Sequence, residues 1–471
     1  MESVRKVMDS RNVAVFGASQ DPHKPGAMLL NVLKETGFQG KVAGVNRRGG
    51  EVFGFPLYRT VGEIPFSVDL AVMIIPPKAI PGALRECAEK GMKGVVISSE
   101  GFAETGTAGR EFQEEVRDIL RATGMRGFGP NTMGIVNTAT GLTTGSFSTK
   151  RMLRPGSIGF ITQTGIFVGA LLRYLSSIEG MQISKILGLG NKVDVDESDA
   201  LSYLKDDEQT RIVGLYLEDI RDGRRFLEVA HETVERKPVL MVKGGRTPEG
   251  SKASISHTAS LAMDDAVLDG ALRQAGVLRM GGIEELIQAI MGFKCMPLPR
   301  GDRLAFVTYS GAQAIMSIDA ATREGLKVAE FTQETQTRLA QVIASTSKAR
   351  NPIDIYPDMV VHGFEKTTTE IIRALLNDDG VHGIFVISFG IYGPEPYCPM
   401  VEIIKENLTK PVFFSLFGAR QEVGACQEFL EQEGIPFYLF PETGVRVFSH
   451  MRRYARMIEN PRSRTTSSGA P

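Results

Sequence analysis

A polar loop near the middle of the chain carries the residue with the clearest chemical potential. Residues 243–262 read KGGRTPEGSKASISHTASLA and follow an apolar run at 238–242. A polar segment of this length is unusual in a compact domain unless it has a function. His257 lies near its end, and a neutral imidazole nitrogen is a nucleophile that can accept a phosphoryl group. We therefore predict that His257 takes up a phosphoryl group and that its loop carries the group to a second site.

Three other polar positions could support such a histidine. Glu218 ends an apolar run, and a carboxylate there could bind the second ring nitrogen and select the tautomer. Thr164-Gly165 and Ser310-Gly311 each open a predicted helix, whose first N–H groups could bind a phosphorylated side chain. Each feature also has a purely structural interpretation, because a lone histidine near a helix start is often a cap or a surface residue, and Ser310 could simply cap its helix. A serine hydrolase is not indicated, since the G-x-S-x-G motif is absent.

A glycine turn near the amino terminus is typical of phosphate binding. The apolar run 12–16 leads into Gly17-Ala18-Ser19, and a helix is predicted soon after. Backbone N–H groups in such a turn lie beside the positive end of the helix dipole. The second strand ends in Asn46-Arg47-Arg48, where an NAD-binding unit would place Asp or Glu. The two arginines suit an additional ribose phosphate, as in CoA or NADP, although surface arginines also follow glycine turns in α/β proteins without such ligands.

Composition is that of an ordinary globular protein and argues against several classes. The 471 residues are 42% hydrophobic and 23% charged, with a formal net charge of -1, so no basic surface for nucleic acid is expected. No apolar run approaches the roughly 20 residues that span a membrane, and MESVRKVMDSRN lacks the apolar segment of a secretory signal. The four cysteines are far apart, which predicts no metal site and fits a reducing compartment. We expect a cytoplasmic protein with neither nucleic-acid nor membrane partners.

The elements that must position these residues follow a βαβ rhythm. Unbroken apolar runs alternate with longer amphipathic stretches, and such runs are typical of strands covered by helices on both faces. The pattern predicts an α/β protein with parallel sheets. Strands are predicted at 12–16, 42–45, 69–75, 94–98, 157–161, 182–187, 212–217, 238–242, 303–308, 326–331, 383–388, 411–416 and 435–439.

Two joints that contain proline divide this pattern into three units. KRMLRPG (150–156) and CMPLPRGD (295–302) interrupt the rhythm, since proline continues neither a helix nor a central strand. The second and third units open alike, with TQTG and TYSG after their first strands, which suggests an internal duplication. We predict domains at 1–149, 150–296 and 297–460, followed by a disordered tail at 461–471.

Together these motifs resemble the ADP-forming acetate–CoA ligases, which are NDP-forming acyl-CoA synthetases related to the succinyl-CoA synthetase α subunit. The resemblance extends over about residues 8–456. It is carried by VAVFGASQDPHKPG and GFGPNTMG in the first unit, by ITQTG, YLEDIRDGRRF and KGGR…SHTASLA in the second, and by AFVTYSGAQA and NPIDIYPD in the third. The SHT-x-SLA and YLE-x-I-x-DGR-x-F segments are specific in combination, whereas the glycine loop alone would not be.

The resemblance implies a fold, a reaction and a set of site residues. The fold is a Rossmann-like CoA-binding domain followed by two flavodoxin-like domains of the succinyl-CoA ligase type. The reaction is acyl-CoA + phosphate + ADP ⇌ carboxylic acid + CoA + ATP, through an acyl phosphate and a phosphohistidine. His257 would be the phosphohistidine and Glu218 the carboxylate that orients it. The resemblance also implies two helix N-termini that hold the phosphoryl group, at Thr164-Gly165 and Ser310-Gly311, and a CoA site at Gly17, Ser19, Arg47, Pro76, Glu100 and Asn131.

Departures from the family pattern bear on the substrate and on the assembly. Thr132 replaces a common cysteine, Ile166 follows TQTG where the family often has alanine, and Ala259 and Met263 replace glycines after the histidine. Because several of these positions belong to the expected acyl pocket, acetate need not be the substrate. No ATP-grasp segment is recognised in the sequence. This predicts a separate ATP-grasp β subunit, an α2β2 assembly, and ADP or ATP with Mg²⁺ bound on that subunit.

Two competing hypotheses stay open at this point. A non-catalytic CoA-binding regulatory protein of the same fold would keep the domains, but the intact His257 and Glu218 count against it. An NADP-dependent oxidoreductase would use the first unit alone, and it would leave two further α/β units unexplained. Incubation with acyl phosphate distinguishes them, because only the synthetase hypothesis predicts an acid-labile label on histidine.

Overall fold

The computed structural model describes residues 2–146, 149–252, 264–343, 349–390 and 393–459. Strands alternate with helices throughout these ranges, which confirms the predicted α/β class. The chain divides into two compact units, Met1–Met280 and Gly281–Pro471. Among the described helices, none combines the length and the apolar character that crossing a membrane requires.

The first sheet of unit one is built from the amino-terminal residues. Its strands are β1 (Asn12–Phe16), β2 (Lys41–Val45), β3 (Gly50–Val52), β4 (Phe55–Tyr58), β5 (Leu70–Met73), β6 (Gly94–Ile97) and β7 (Arg126–Phe128). They lie in the order β3-β4-β2-β1-β5-β6-β7, and every neighbouring pair is parallel except β3 with β4. The accompanying helices are α1 (Glu2–Met8), α2 (Pro25–Thr36), α3 (Ile80–Glu89) and α4 (Thr107–Thr123).

Burial explains why these residues form a central sheet. All residues of β5 and β6 are buried, as expected for strands that helices cover on both faces. Helix α4 is amphipathic and turns Val116, Ile119 and Leu120 toward the same apolar core. The parallel strands thereby bring their carboxyl ends to one edge of the sheet, where the turns that carry the predicted CoA residues begin.

The second sheet of unit one follows the flavodoxin-like pattern. Its strands are β8 (Ile135–Asn137), β9 (Leu142–Thr143), β10 (Ile158–Thr162), β11 (Ile183–Gly188), β12 (Ile212–Leu217), β13 (Val239–Lys243) and β14 (Leu278–Arg279). Their order is β14-β13-β12-β10-β11-β8-β9, with β8 antiparallel to both β11 and β9 and the other pairs parallel. Its helices are α5 (Ala170–Leu175), α6 (Glu197–Asp206), α7 (Gly223–Val234) and α8 (Asp265–Ala275).

The β8–β9 hairpin lies before the predicted first domain boundary in the sequence but belongs to the second sheet. It precedes the joint at 150–156, yet β8 pairs with β11. Part of the second sheet thus comes from residues before 149/150, and the boundary there stays a prediction.

A cluster of charged side chains fastens the two sheets of unit one together. The Arg126 guanidinium donates to Asp194 at 2.7 Å and to Asp199, while the N–H of Gly127 donates to the same Asp194 carboxylate at 2.8 Å. Arg225 also donates to Asp199. Arg126 belongs to β7 of the first sheet, and Asp199 belongs to α6, which packs with the second sheet. These bonds therefore connect the two sheets of unit one directly.

The third sheet belongs to unit two. Its strands are β15 (Arg303–Thr308), β16 (Lys327–Val328), β17 (Ile353–Asp354), β18 (Gly383–Phe389) and β19 (Val412–Phe417). The order is β16-β15-β18-β19, β17 also pairs with β15, and all pairs are parallel. Its helices are α9 (Ile283–Cys295), α10 (Gly311–Arg323), α11 (Gln333–Val342), α12 (Tyr356–His362), α13 (Phe364–Leu376), α14 (Cys398–Glu406), α15 (Arg420–Gln432) and α16 (Pro441–Glu459).

One expectation about unit two is wrong. The apolar run at 435–439 forms no strand, because only Phe437 pairs with Phe414, in an isolated bridge. His450 is buried in α16, and its Nε2 lies 2.8 Å from Glu285. Short 3-10 helices complete the description at Val61–Glu63, Pro77–Ala79, Ala103–Thr105, Lys150–Leu153, Gly165–Phe167 and Glu395–Tyr397.

Candidate functional site

The residues predicted to bind CoA lie along one edge of the first sheet. Carboxyl ends of parallel strands meet at such an edge, and ligands of open α/β sheets bind there. The strand order β2-β1-β5-β6-β7 places the corresponding turns side by side. The structure thus brings all six residues to one edge, where they follow five strands: Gly17 and Ser19 after β1, Arg47 after β2, Pro76 after β5, Glu100 after β6 and Asn131 after β7.

The glycine turn after β1 is packed backbone against backbone. Gly17 has φ +84°, and a Cβ atom there would lie 2.1 Å from the carbonyl oxygen of Ile74. A Cβ on Gly26, in the first turn of α2, would lie 2.3 Å from the carbonyl oxygen of Gly17. The turn therefore tolerates no side chain at these two positions, and it lies at the N-terminus of α2, where backbone N–H groups could bind the predicted diphosphate of CoA.

Asn46 ties the arginine turn to the glycine turn. Its Nδ2 donates to the carbonyl of Ala18 at 3.0 Å, and its Oδ1 accepts the N–H groups of Arg48 and Gly49, both at 2.8 Å. Arg47 and Arg48 are exposed beside it. The arrangement holds two exposed cations next to the glycine turn, as the predicted contact with a ribose phosphate requires. Sequence reasoning missed the role of Asn46, although a polar residue at the end of a buried strand was a usable signal.

A short segment after β11 connects this edge to the second sheet. Asn131 has φ +58°, and Thr132 Oγ1 donates to the carbonyl of Gly188 at 3.0 Å. The N–H of Asn191 donates to the carbonyl of Pro130 at 2.9 Å. Thr132, which stands where the family often has cysteine, therefore fastens the predicted CoA turn to the segment 188–192.

The same segment ends in a buried lysine that reaches the predicted catalytic turn. Lys192 is 2% exposed, and its Nζ lies 2.7 Å from the Asp219 carboxylate and 2.9 Å from the Glu197 carboxylate. It also donates to the backbone carbonyl of Asp219 at 2.9 Å. A buried ammonium requires such pairing, because an uncompensated charge in the interior is strongly destabilising. Lys192 thus links the CoA edge to the turn after β12.

Gln163 positions the backbone of that turn from the neighbouring strand. Its Oε1 accepts the N–H groups of Glu218 at 2.8 Å and of Asp219 at 3.2 Å, and its Nε2 donates to the Asp219 carboxylate. From the other side, Lys243 Nζ donates to the carbonyl of Glu218 at 2.6 Å. The hydroxyl of Tyr216 lies 3.5 Å from Glu218 Oε1. These bonds fix the backbone of Glu218, and its side chain is half-buried. A carboxylate that orients a histidine needs to be held in this way.

Burial perturbs the two groups that flank Glu218. It raises the pKa of Tyr216, and the neighbouring Glu218 carboxylate raises that pKa further, so the phenol is neutral and acts as a donor. Burial lowers the pKa of Lys243, while Asp219 acts in the opposite direction. Neither residue was singled out from the sequence, because an isolated tyrosine or lysine at a strand end gives no distinctive pattern.

The two predicted phosphate turns share one local hydrogen-bond pattern. In unit one, Thr162 Oγ1 donates to the carbonyl of Thr164 at 3.0 Å and accepts its N–H at 3.2 Å. In unit two, Thr308 Oγ1 bonds the carbonyl and N–H of Ser310 in the same way, both at 3.0 Å. This repetition supports the predicted duplication of the TQTG and TYSG segments.

The helices after these turns differ. Helix α10 begins at Gly311 as predicted, and within the described part of the chain the Ser310 side chain makes no capping bond to it. Gly165 opens only the 3-10 helix Gly165–Phe167, and α5 begins at Ala170, so the prediction of a regular helix from Thr164-Gly165 is wrong. Gly169, with φ −102° and ψ −111°, separates this 3-10 helix from α5, and the buried Phe167 ring packs 5.2 Å from that of Phe160.

His257, Ala259 and Met263 lie outside the described residues, which omit 253–263. The carrier role of His257 is thus a prediction from the sequence. Of the residues expected around the acyl group, Ile166 is 48% exposed, so a ligand can reach it. The next residue, Phe167, is buried.

Comparison with known proteins identifies the family. Residues 11–138 match the CoA binding domain model, and residues 155–293 match the model described as a succinyl-CoA ligase like flavodoxin domain. The chain is 37% identical over 439 residues to subunit alpha of the ADP-forming acetate–CoA ligase II of Pyrococcus furiosus, covering 92% of this chain and 93% of that one. The chain belongs to the ADP-forming acetate–CoA ligase family.

Other relatives give information on the fold and on the length of related chains. The ADP-forming acetate–CoA ligase II of Archaeoglobus fulgidus is 37% identical over 96% of this chain, which spans only 67% of that relative. The dinucleotide-forming acetyl-coenzyme A synthetase 1 of Ca. Korarchaeum cryptofilum, solved with phosphate and ADP, superposes with a TM-score of 0.90 at 29% identity, covering 100% of both chains. PH0766 from Pyrococcus horikoshii OT3 matches with a TM-score of 0.81 at 30% identity, over 95% of this chain and 98% of that one. The predicted resemblance and the Rossmann-like plus flavodoxin-like fold are confirmed.

Proposed function

We propose that this chain is the CoA-binding, phosphohistidine-carrying part of an NDP-forming acyl-CoA synthetase, which interconverts acyl-CoA, phosphate and ADP with a carboxylic acid, CoA and ATP. The observation that carries the proposal is the segment 188–192. At one end it bonds the turn of Asn131, and at the other its Lys192 bonds Asp219 beside Glu218. A thioester at the CoA edge and a carboxylate for a histidine are thereby held in one unit.

The chemistry on this chain comprises two transfers. A phosphate oxygen attacks the thioester carbonyl carbon, the carbon–sulfur bond breaks, and CoA leaves with its sulfur protonated. His257 then attacks the phosphorus of the acyl phosphate, and the bond from phosphorus to the acyl oxygen breaks, which releases the carboxylate. Glu218 accepts the N–H of the other ring nitrogen, so the attacking nitrogen is unprotonated and the charge that develops on the ring is compensated. The acyl group itself is not assigned.

The nucleotide half of the reaction belongs to an ATP-grasp partner in this proposal. That partner binds ADP or ATP with Mg²⁺, and we expect an α2β2 assembly. The name of the Pyrococcus furiosus relative as a subunit alpha supports a separate chain. Other relatives are longer, and this chain spans only about two thirds of their length. These relatives support the alternative in which the ATP-grasp part is joined to the CoA-binding part in one polypeptide. A cytoplasmic location, inferred from the spaced cysteines, is part of the same proposal.

Phosphohistidine formation provides the test. The chain is incubated with labelled inorganic phosphate and a panel of acetyl, branched and aryl thioesters, and the label on protein is followed in acid and in alkali. We expect an acid-labile, alkali-stable label that His257→Ala abolishes and Glu218→Gln strongly slows. His231→Ala, on α7 of the same sheet, is the matched control and retains the label.

Two outcomes would contradict the assignment. Label that persists in His257→Ala would place the phosphoryl group elsewhere. A wild-type chain that binds CoA but takes no label from any thioester, with or without an ATP-grasp partner added, would favour the non-catalytic CoA-binding alternative.

A further inference from the structure

A cavity of about 1050 Å³ lies at the opposite end of the first sheet from the CoA edge. Its walls include Arg11, which precedes β1, and Lys41, the first residue of β2. The glycine turn follows the carboxyl end of β1, so the strand separates the two places by roughly 16 Å, from five residues at about 3.3 Å each. The cavity is therefore distinct from the proposed CoA site. Its volume is at the upper end of the roughly 300–1,000 Å³ of ligand pockets.

The charged residues that line this cavity are all cations. Arg11, Lys41, Lys150 and Arg154 contribute to its wall, and no Asp or Glu is among the described lining residues. Within the described part of the chain, none of these four forms an ion pair; Lys41 lies over the Phe66 ring, with its Nζ 5.6 Å from the centroid. Four like charges around one concavity, with no carboxylate among its described lining residues, give it a positive potential that attracts anions.

Two other arginines of the same unit are paired with carboxylates. The guanidinium of Arg279 pairs with Asp265 and with Asp269. Arg126 pairs with Asp194 and Asp199. Asp69, which lies near the cavity in the fold, is occupied by the backbone N–H groups of residues 11 and 12 at 3.0 and 2.9 Å. The cations of the cavity thus have no carboxylate of comparable geometry in the described structure.

The remaining wall combines neutral polar side chains, among them Asn12 and Gln39, with small residues and one aromatic ring. Phe38 follows the end of α2 and is half-buried in the wall, with Gly37, Gly40 and Gly141 beside it. An aromatic face among residues without bulky side chains accepts a flat or apolar group, while the cations accept the charged end. Lys150 and Arg154 come from the joint between the two sheets, so an occupant would contact both the base of the first sheet and that joint.

We propose that this cavity binds a phosphorylated small molecule of nucleotide type, with its phosphates among Arg11, Lys41, Lys150 and Arg154 and its flat apolar part against Phe38. The site is independent of the proposed acyl-CoA synthetase chemistry, because it shares no residue with the CoA edge or with the Glu218 turn. Occupation would brace the joint that leads into β10.

Binding of ADP to the full chain saturated with CoA tests the site, since saturation removes binding at the CoA edge. Isothermal titration is performed on the wild type, on Arg11→Gln/Arg154→Gln, and on the control Arg110→Gln/Arg121→Gln, which removes two exposed arginines of α4. We expect ADP to bind the wild type and the control alike, and the cavity variant at least tenfold more weakly. Pyrophosphate is titrated in parallel and should bind more weakly than ADP, while Phe38→Ala should reduce ADP binding and leave pyrophosphate unaffected.

The outcomes separate clearly. Equal ADP affinity in the cavity variant and the control would overturn the proposal, as would the absence of binding by the wild type at millimolar ADP. Pyrophosphate that binds as tightly as ADP would overturn the role of Phe38. Urea unfolding of each variant is the control for stability, and because all but one of the substituted positions are exposed we expect the fold to stay intact.

Discussion

Replacing Gln163 by leucine tests whether the buried amide positions Glu218. In the wild type its Oε1 accepts two backbone N–H groups, from Glu218 at 2.8 Å and Asp219 at 3.2 Å. Leucine has a similar size but leaves both N–H groups without this acceptor. A buried polar group left unsatisfied costs about 1–3 kcal/mol. Because Glu218 and Asp219 are only half-buried, we take about 1–2 kcal/mol for each of the two N–H groups and expect a loss of about 2–4 kcal/mol of unfolding free energy. Since small domains are stable by about 5–15 kcal/mol, the variant should fold.

The Gln163→Leu substitution should also slow the labelling of histidine. A catalytic group displaced by about 1 Å can lose on the order of 100-fold in rate, so we expect histidine labelling by acyl-CoA and phosphate to slow by about 10- to 100-fold. CoA affinity should be unchanged, because Gln163 lies on the second sheet and not at the CoA edge. Initial labelling rates, CoA titration and urea unfolding are measured on the same preparation.

Gln163→Glu distinguishes positioning from stability. The glutamate keeps an acceptor for the two N–H groups but places a second carboxylate beside Asp219, which raises the pKa of the introduced group. Its protonated form regains a donor, so its labelling rate relative to the wild type should rise as the pH falls. The reasoning would be refuted by Gln163→Leu protein that unfolds at lower urea yet labels at the wild-type rate.

Three further predictions concern unit one. Gly17→Ala should lower stability by more than the roughly 1–2 kcal/mol of left-handed backbone strain and weaken CoA binding, because its Cβ would meet a carbonyl oxygen at 2.1 Å; Gly124→Ala, with φ +69° and open space, is the strain-only control in urea unfolding. Arg47→Gln should weaken CoA by roughly five- to tenfold while leaving 3′-dephospho-CoA unaffected, as measured by calorimetry, and equal losses for both ligands would contradict a ribose-phosphate contact. Asp199→Asn should cost about 2 kcal/mol near neutral pH: burial raises the Asp199 pKa, but bonds from Arg225 and Arg126 outweigh it and hold that pKa below 3.8. The stabilisation is present above that value and lost as pH falls through the lower folded pKa, so the difference from wild type should narrow below about pH 4 in pH-dependent unfolding.

The buried strands of the three sheets could be predicted because they are continuous apolar runs. Strands such as β5 and β18 are covered on both faces, and their continuous apolar residues are typical of such buried strands. The β8–β9 hairpin was missed, since three- and two-residue strands give no periodicity. The prediction of a strand at 435–439 was wrong for a related reason, because an apolar segment can be buried by tertiary packing without strand pairing along its length.

The candidate site was predictable only in part. Glu218 follows a buried strand, and the glycine turn follows another, so both positions have a local signal. Gln163 and Lys192 act on Glu218 and Asp219 across 27 to 56 residues of sequence. Their roles arise from strand order, because β10 lies beside β12 and β11 in the sheet. No pattern in one sequence specifies that adjacency for individual side chains.

The two phosphate turns show why similar sequences need not give equal electrostatic strength. Both use a threonine hydroxyl to hold the turn closed, but α10 has 13 residues whereas Gly165 opens a 3-10 helix of three. A regular helix presents about half a unit of positive charge at its N-terminus, and a single short turn presents much less. The proposed anion binding at Thr164-Gly165 would therefore depend on the individual N–H groups of the turn. Substitutions that move its backbone should weaken phosphate binding there more than equivalent changes at Ser310-Gly311, where the helix itself contributes.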